Sequence, residues 1–286
     1  MTVPPTTASG YQLWYYYPSI AGSVAVAVIF ACLALVHLWF VVATHKKFCI
    51  PLVVGGVFEV VGYVCRAYAH SHTSATTPYA IQSMLILLAP ILFAASVYMC
   101  LGRIIIFAQG EDQSLIPVRY LTKVFVCGDV LCFFIQAGGG GIMASSKTDS
   151  GQETGERLIL AGMILQIIIF FFFVAATGTW HTRMQRMSSI QSGYELSWRH
   201  ILVSLYAISV LITTRNLVRT VEYGIGSSGY LITHEWVIFV GDGVPMICVL
   251  AVSTIWYRLN IGGEARLINQ DSYNQDNSNE MSVFIK

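Results

Sequence analysis

The sequence predicts an all-α integral membrane protein: a seven-helix bundle with its N-terminus outside and its C-terminus in the cytoplasm. Three observations carry this reading. Of 286 residues, 55% are apolar and 11% charged, a charged share under half of the ~25% usual in soluble domains. Mean hydropathy is +0.64. The apolar residues gather into seven segments, each long enough at ~1.5 Å per residue to cross a ~30 Å hydrocarbon layer. A soluble enzyme and a disordered chain are excluded, and a net charge of +1 gives no general attraction to nucleic acid.

In order, the segments are Ser19–Ala43, Phe48–Ala69, Pro78–Ala108, Tyr120–Met143, Leu158–Trp180, Trp198–Thr220 and Glu235–Tyr257. The first is too long for the apolar region of a signal peptide and has no basic stretch before it, so it is expected to stay as a span. The third is long enough to tilt or to run past the membrane. Nothing between the segments has the composition of a domain boundary, so one domain is expected over residues 19–257,. Residues 1–18 read as an extracellular segment, and residues 258–286, rich in Asn, Gln, Ser and Asp, as a flexible cytoplasmic tail,.

Orientation follows from Lys and Arg. With the N-terminus outside, the cytoplasmic side holds Lys46, Lys47, Arg103, Arg119, Lys123, Arg183, Arg186, Arg199, Arg258, Arg266 and Lys286, against Lys147 and Arg157 outside. Trp14, Tyr15, Tyr16 and Tyr17, just before the first span, fit an aromatic belt at the outer interface,. The seven cysteines fall in spans or at the cytoplasmic edge, so no disulfide is expected. Cys127 and Cys132, five apart on an apolar helix, read as packing residues rather than metal ligands,.

The remaining charge lies inside the spans. Each charge at the bilayer centre costs about 2.5–3.5 kcal/mol on insertion scales, so Glu59, Arg66, Asp129, Arg215, Arg219, Glu222 and Asp242 must face a shared interior. Glu59, Tyr63 and Arg66, four and three apart, share one face of the second helix,. Arg215, Arg219 and Glu222 do the same on the sixth, and Asp129 with Gln136 on the fourth; Gln82 and Gln166 join from the third and fifth. Two readings stand: the charges pair with one another and fix helix register, or they line a hydrated pathway or head-group site, the default for intramembrane ionisable groups. Depth places Glu59 near the midplane, Asp129 slightly below it, and the other polar residues in the outer half. A pocket between the second, fourth, sixth and seventh helices is therefore expected, floored by Glu59 and Asp129 and walled by Arg66, Gln136, Arg215 and Asp242. Burial disfavours a charged carboxylate, which makes Glu59 and Asp129 the candidates for proton or head-group coupling, and Asp242 is expected to pair with one of the three arginines. Gly138, Gly139, Gly140 and Gly141 are candidates for close approach or unwinding. Pro90 and Pro245 are candidate hinges, each removing an intrahelical hydrogen bond.

Several seven-helix classes do not fit. No lysine lies in Glu235–Tyr257 for a retinal Schiff base. The third helix ends Leu101-Gly102-Arg103 and the seventh carries Val244-Pro245, not the motifs of a G-protein-coupled receptor. Only His37 lies well inside a span, too few ligands for a zinc hydrolase, and a lone buried histidine is ordinarily a hydrogen-bonded core residue. No nucleotide-binding loop appears. No metal or cofactor is expected, and no enzymatic activity.

The polar positions and their surroundings resemble the fungal lipid-translocating exporters, also called resistance-to-aminocholesterol-like proteins. The resemblance rests on Glu59 with Gly62-Tyr63 and Arg66; on Gln82, Leu87-Leu88-Ala89-Pro90, Ala94-Ala95, Tyr98 and Leu101-Gly102-Arg103; on Phe125, Asp129, Gln136 and the glycine run; on Gly162 and Gln166; and on Arg215, Arg219, Glu222-Tyr223, Glu235 and Asp242. Where such proteins often carry an aromatic residue before the last aspartate, Gly241 stands here. The resemblance implies a multi-pass transporter or exporter, expected at the plasma membrane, that gives resistance to amphiphiles such as sphingoid bases, sterol amines or porphyrins. Its expected partners are membrane lipids and an amphiphilic small-molecule substrate. The alternative is a seven-helix lipid-binding sensor or scaffold without transport.

Overall fold

The computed structural model describes Trp14 and residues 16–73, 75–146, 148–187, 195–225 and 234–258. Most of the N-terminal segment and all but the first residue of the expected tail lie outside this set. Among the described residues the structure is helical without strands: α1 Ile20–Thr44, α2 Ile50–Ala69, α3 Thr76–Phe107, α4 Val118–Ser145, α5 Asp149–Met187 and α6 Glu195–Ile225. The seventh segment is composite, a π-helical turn Ile238–Gly243 running into α7 Val244–Ser253, then a short α8 Ile255–Arg258. Six helical stretches are long and apolar enough to cross a membrane, all but α4. At 28 residues α4 covers the same distance.

Side-chain periodicity explains the arrangement. The buried residues of α1 are Ser23, Ala27, Phe30, Ala34 and His37, a single stripe spaced four and three apart, so the rest of its surface meets lipid. By contrast α3 is buried on most of its circumference, with Gln82, Ile86, Ala89–Ile91, Phe93–Tyr98, Cys100–Gly102, Ile104 and Ile105 all buried, as expected of a helix at the centre. Each helix packs on the next in sequence, α7 returns to α1, and α3 also touches α6. Phe134, Phe171, Trp39 and Val210 stand exposed on the outside, the apolar surface that a hydrocarbon solvent requires.

Local chemistry sets the ends. Ser19 caps α1 by accepting from the Gly22 amide at 3.2 Å, meeting one orphan donor of the first turn. At its other end His45 takes a left-handed conformation with φ 55°. Lys46 then donates to the carbonyls of Trp256 at 3.0 Å and Tyr257 at 3.2 Å, tying the start of α2 to the end of the bundle. Burial pulls its ammonium below the ordinary lysine pKa. His37 is the hydrogen-bonded core residue expected: Nε2 donates to the Leu250 carbonyl at 2.9 Å, and Nδ1 accepts from the Tyr257 hydroxyl at 3.1 Å.

The glycine run needs correcting. Helix α4 passes through Gly138–Gly141 without unwinding, and a Cβ on Gly138, Gly140 or Gly141 would meet nothing within 4 Å. Only Gly139 is a close approach: a Cβ there would sit 2.7 Å from the Gly155 carbonyl of α5 and 2.9 Å from the Ile159 amide. On a straight helix the four glycines fan out in different directions, so one faces α5 while the others do not. Pro90 is likewise accommodated within the continuous α3.

Candidate functional site

The seventh segment sets the site. Pro245 has no N–H, so the carbonyl four residues earlier, at Gly241, has no α-helical donor. The chain widens there into the π-helical turn Ile238–Gly243, a form found mostly as single-turn insertions, frequently at functional positions. That turn aims Asp242 at two arginines of α6. Arg215 Nε donates to Asp242 Oδ1, and Arg219 Nη2 donates to Asp242 Oδ2 at 2.8 Å. Arg219 also reaches Glu222 at 3.1 Å. Arg215 donates to the Ile86 carbonyl at 2.9 Å and contacts Asn216 Oδ1 at 3.4 Å. Two cations and two anions therefore close on one another, fastening α6 to the π-turn and, through Ile86, to the central α3.

Asp242 thus pairs with two of the three arginines, and the third, Arg66, pairs with a different acid, Glu235. It donates to Glu235 Oε1 at 2.9 Å and to the Tyr16 hydroxyl at 2.9 Å, and its guanidinium lies 5.3 Å from the Trp14 ring, 5.6 Å from Tyr16 and 5.6 Å from Phe239. Glu235 Oε1 also accepts from the Ser19 amide at 2.7 Å. His70 Nδ1 donates to the Pro18 carbonyl at 2.7 Å, and Trp14 packs edge-on to Tyr79 at 5.2 Å. Trp14 and residues 16–19 thus form a strap across the ends of α2, α3 and the seventh segment. Sequence reasoning took Glu235 as the edge of a span and Tyr16 as part of an interfacial belt. The available signal was the acid exactly one heptad before Asp242 on the same helix.

With all three interior arginines bonded to acids, two carboxyl groups remain. Glu59 is 1% exposed, and both its oxygens are buried without a hydrogen-bond partner. The charges that act on it are those of Asp242, Arg215 and Arg219, none of which bonds to it. Tyr63, one turn on, has only a long contact of 3.5 Å to the Ile238 carbonyl. Asp129 stands in a separate environment, with Oδ2 accepting from the Tyr98 hydroxyl at 2.7 Å and Oδ1 unmet. Tyr98 packs on Phe125 at 5.3 Å and Phe173 at 4.6 Å, so Asp129 belongs to an aromatic cluster among α3, α4 and α5. Gln136 donates to Gln166 Oε1 at 2.9 Å, while Gln136 Oε1 and Gln82 Oε1 are buried and unmet.

The expected single pocket is therefore divided. Glu59, Arg215, Arg219, Glu222 and Asp242 lie together; Arg66 is held under the strap; Asp129, Gln136 and Gln166 line the α4–α5 side. The reason is pairing: the bonds that satisfy the arginines fill the space that depth alone left open. The described residues do form a cleft, of about 260 Å³, but between α5 and α6, lined by Ile167, Phe170, Val174, Tyr206, Ser209 and Asn216 among others. The unmet oxygens of Glu59, Gln82, Asp129 and Gln136 are acceptors, while Arg66 Nε and Arg219 Nε are unmet donors, so both kinds of group are available and Glu59, with two unmet oxygens, is the place where a donor would be met most completely.

Protein RTM1 of Saccharomyces cerevisiae is 37% identical over 203 residues, 71% of this chain and 65% of RTM1, so the match spans just under two thirds of that relative. Protoporphyrin uptake protein 1 of the same species is 32% identical over 285 residues, covering 87% of this chain and 93% of that protein. The Sphingoid long-chain base transporter RSB1, also from Saccharomyces cerevisiae, is 24% identical over 277 residues, 84% of this chain and 72% of its own length. No solved structure matches. The profile described as RTA1 like protein matches residues 52–264, a stretch holding every interior charge described above, and the chain is a multi-pass membrane protein of the RTA1-like family.

Proposed function

We propose that this protein moves amphiphilic molecules bearing a donor-rich or cationic head group across the membrane, toward the outer leaflet of the plasma membrane, with Glu59 as the group that receives the head or a proton in its place. One observation carries the reading: both carboxyl oxygens of Glu59 are buried without a partner in a bundle whose arginines are already bonded to other acids. An ionised carboxylate left in that state is strongly disfavoured, so the site calls for a positive partner. A protonated amine supplies one, and a proton does the same between cycles. The names of two relatives, one a sphingoid long-chain base transporter and one a protoporphyrin uptake protein, support amphiphiles as the substrate class. The aromatic cluster around Asp129 is a second place where a donor would be met. Catalysis has no part in this reading.

The test is flux in proteoliposomes loaded in turn with a fluorescent sphingoid base, a sterol amine and a porphyrin. Transport of at least one amine-bearing probe, lost or made independent of pH in Glu59→Gln, is the expected result. Absence of flux for all three with tight binding of one would replace the transporter by a lipid-binding sensor.

A further inference from the structure

We infer that the cleft between α5 and α6 is a binding site for a single alkyl chain of an amphiphile whose head lies at the Asn216 end, toward the polar cluster that holds Glu59. Nothing in the polar cluster requires this cleft, yet it is continuous with that cluster: Asn216 lines the cleft and accepts from Arg215 at 3.4 Å. The remaining wall is hydrocarbon-like, with Ile167, Phe170, Phe171 and Val174 from α5 facing Tyr206, Val210 and Thr213 from α6. The hydroxyls of Thr213 and Thr214 are turned back to their own helix, donating to the Ser209 and Val210 carbonyls at 2.8 Å, so they do not make the wall polar. Ser209 is the small residue that leaves the space, and its buried hydroxyl has no partner.

Size and depth select the occupant. A volume of about 260 Å³ falls below the ~300–1,000 Å³ of pockets that enclose whole drug-sized ligands, which matches one chain rather than a whole amphiphile. The lined stretch of α6, Tyr206 to Asn216, is about 15 Å long at 1.5 Å per residue and lies in the middle of a helix running Glu195–Ile225, well inside the hydrocarbon whichever end faces out. Phe171 and Val210, which line it, are 71% and 65% exposed, so the cleft opens sideways to lipid and a chain enters without crossing water. A chain already in the bilayer gains little from apolar contact alone. What distinguishes this place from ordinary lipid contact is therefore the polar end at Asn216, sunk where a bulk phospholipid does not put its head. This rests on the reading of the protein as a handler of amphiphiles and assigns the tail of the same molecule a place.

Photolabelling tests it in the full chain, in phosphatidylcholine nanodiscs where no flux is measured. The probe is a long-chain primary amine with a diazirine at mid-chain. The expected result is label concentrated in the segments 167–174 and 206–216, at least fivefold above other lipid-facing helices, suppressed by excess unlabelled long-chain amine but not by a butylamine. Ser209→Phe should reduce the label in these segments about tenfold, while Val221→Trp, on the lipid-facing side of α6, leaves it unchanged. Label spread evenly over all lipid-facing helices, or unchanged in Ser209→Phe, or displaced equally well by two-chain phospholipid, would overturn the site. Competition in the unmodified protein keeps the test valid if Ser209→Phe does not fold. Because labelling needs no transport, a protein that labels here yet shows no flux would refute the transport reading alone.

Discussion

At the scale of single residues, the interior acids differ in what surrounds them, and substitutions should separate them. Glu59 has no partner to lose, so Glu59→Gln keeps shape and volume while removing the titratable group. We expect melting within a few degrees of the unmodified protein in detergent and a flattened pH profile of flux. A folded mutant with unchanged pH dependence would remove the role given to Glu59. Asp242 is the opposite case. Asp242→Asn leaves Arg215 and Arg219 facing a neutral amide, and breaking a buried pair on one side costs about 3–5 kcal/mol. Its melting temperature should fall sharply, and Arg215→Met combined with Asp242→Leu should recover much of the loss. The double mutant behaving worse than both singles would show that Arg219 needs Asp242 as much as Arg215 does.

At the scale of elements, one glycine of the run of four, Gly139, joins Gly155 and Gly162 in the close approach of α4 to α5. Gly139→Ala places a methyl 2.7 Å from the Gly155 carbonyl; backbone cannot yield as a side chain does, and overpacking of this kind costs about 1–3 kcal/mol. Gly140→Ala meets nothing within 4 Å and removes a residue about 1 kcal/mol poorer than alanine in a helix. The expected order of thermal stability is Gly140→Ala at or above the unmodified protein, with Gly139→Ala clearly below. Sequence reading found the run but could not tell its members apart, because which glycine faces α5 depends on the rotation of α4 about its axis. The π-turn was equally hidden. Pro245 signalled a broken hydrogen bond, but widening, kinking and ending of the helix all follow from the same missing donor. Helix existence and the shared face of Glu59, Tyr63 and Arg66 were legible, since both follow from periodicity alone.

At the scale of the whole molecule, the seven segments, their order and the inward placement of the interior charges could be read from composition and spacing. The partners could not. Whether Arg66 meets Asp242 or Glu235 depends on how far the seventh segment is displaced along its axis, and no hydropathy pattern encodes that. The basic residues do encode orientation: eleven on one side against Lys147 and Arg157 on the other predict an N-terminus outside. An epitope placed at the N-terminus should be stained in intact cells and one at the C-terminus only after permeabilisation. The reverse pattern would invert every statement of leaflet and direction while leaving the pairings untouched.

The strap over Arg66 gives that end of the bundle two electrostatic faces. With Trp14, Tyr16 and Ser19 in place, the guanidinium is 1% exposed and its charge is spent on aromatic rings and on Glu235. Lift the strap, as Tyr16→Ala combined with Trp14→Ala is designed to do, and the same side chain becomes a cation at a water-facing rim. It would then act as a surface lure for anions, including the phosphates of neighbouring lipids, where before it was glue. Arg66, still facing Glu235, should react with an arginine-selective dicarbonyl reagent faster in the double mutant than in the unmodified protein.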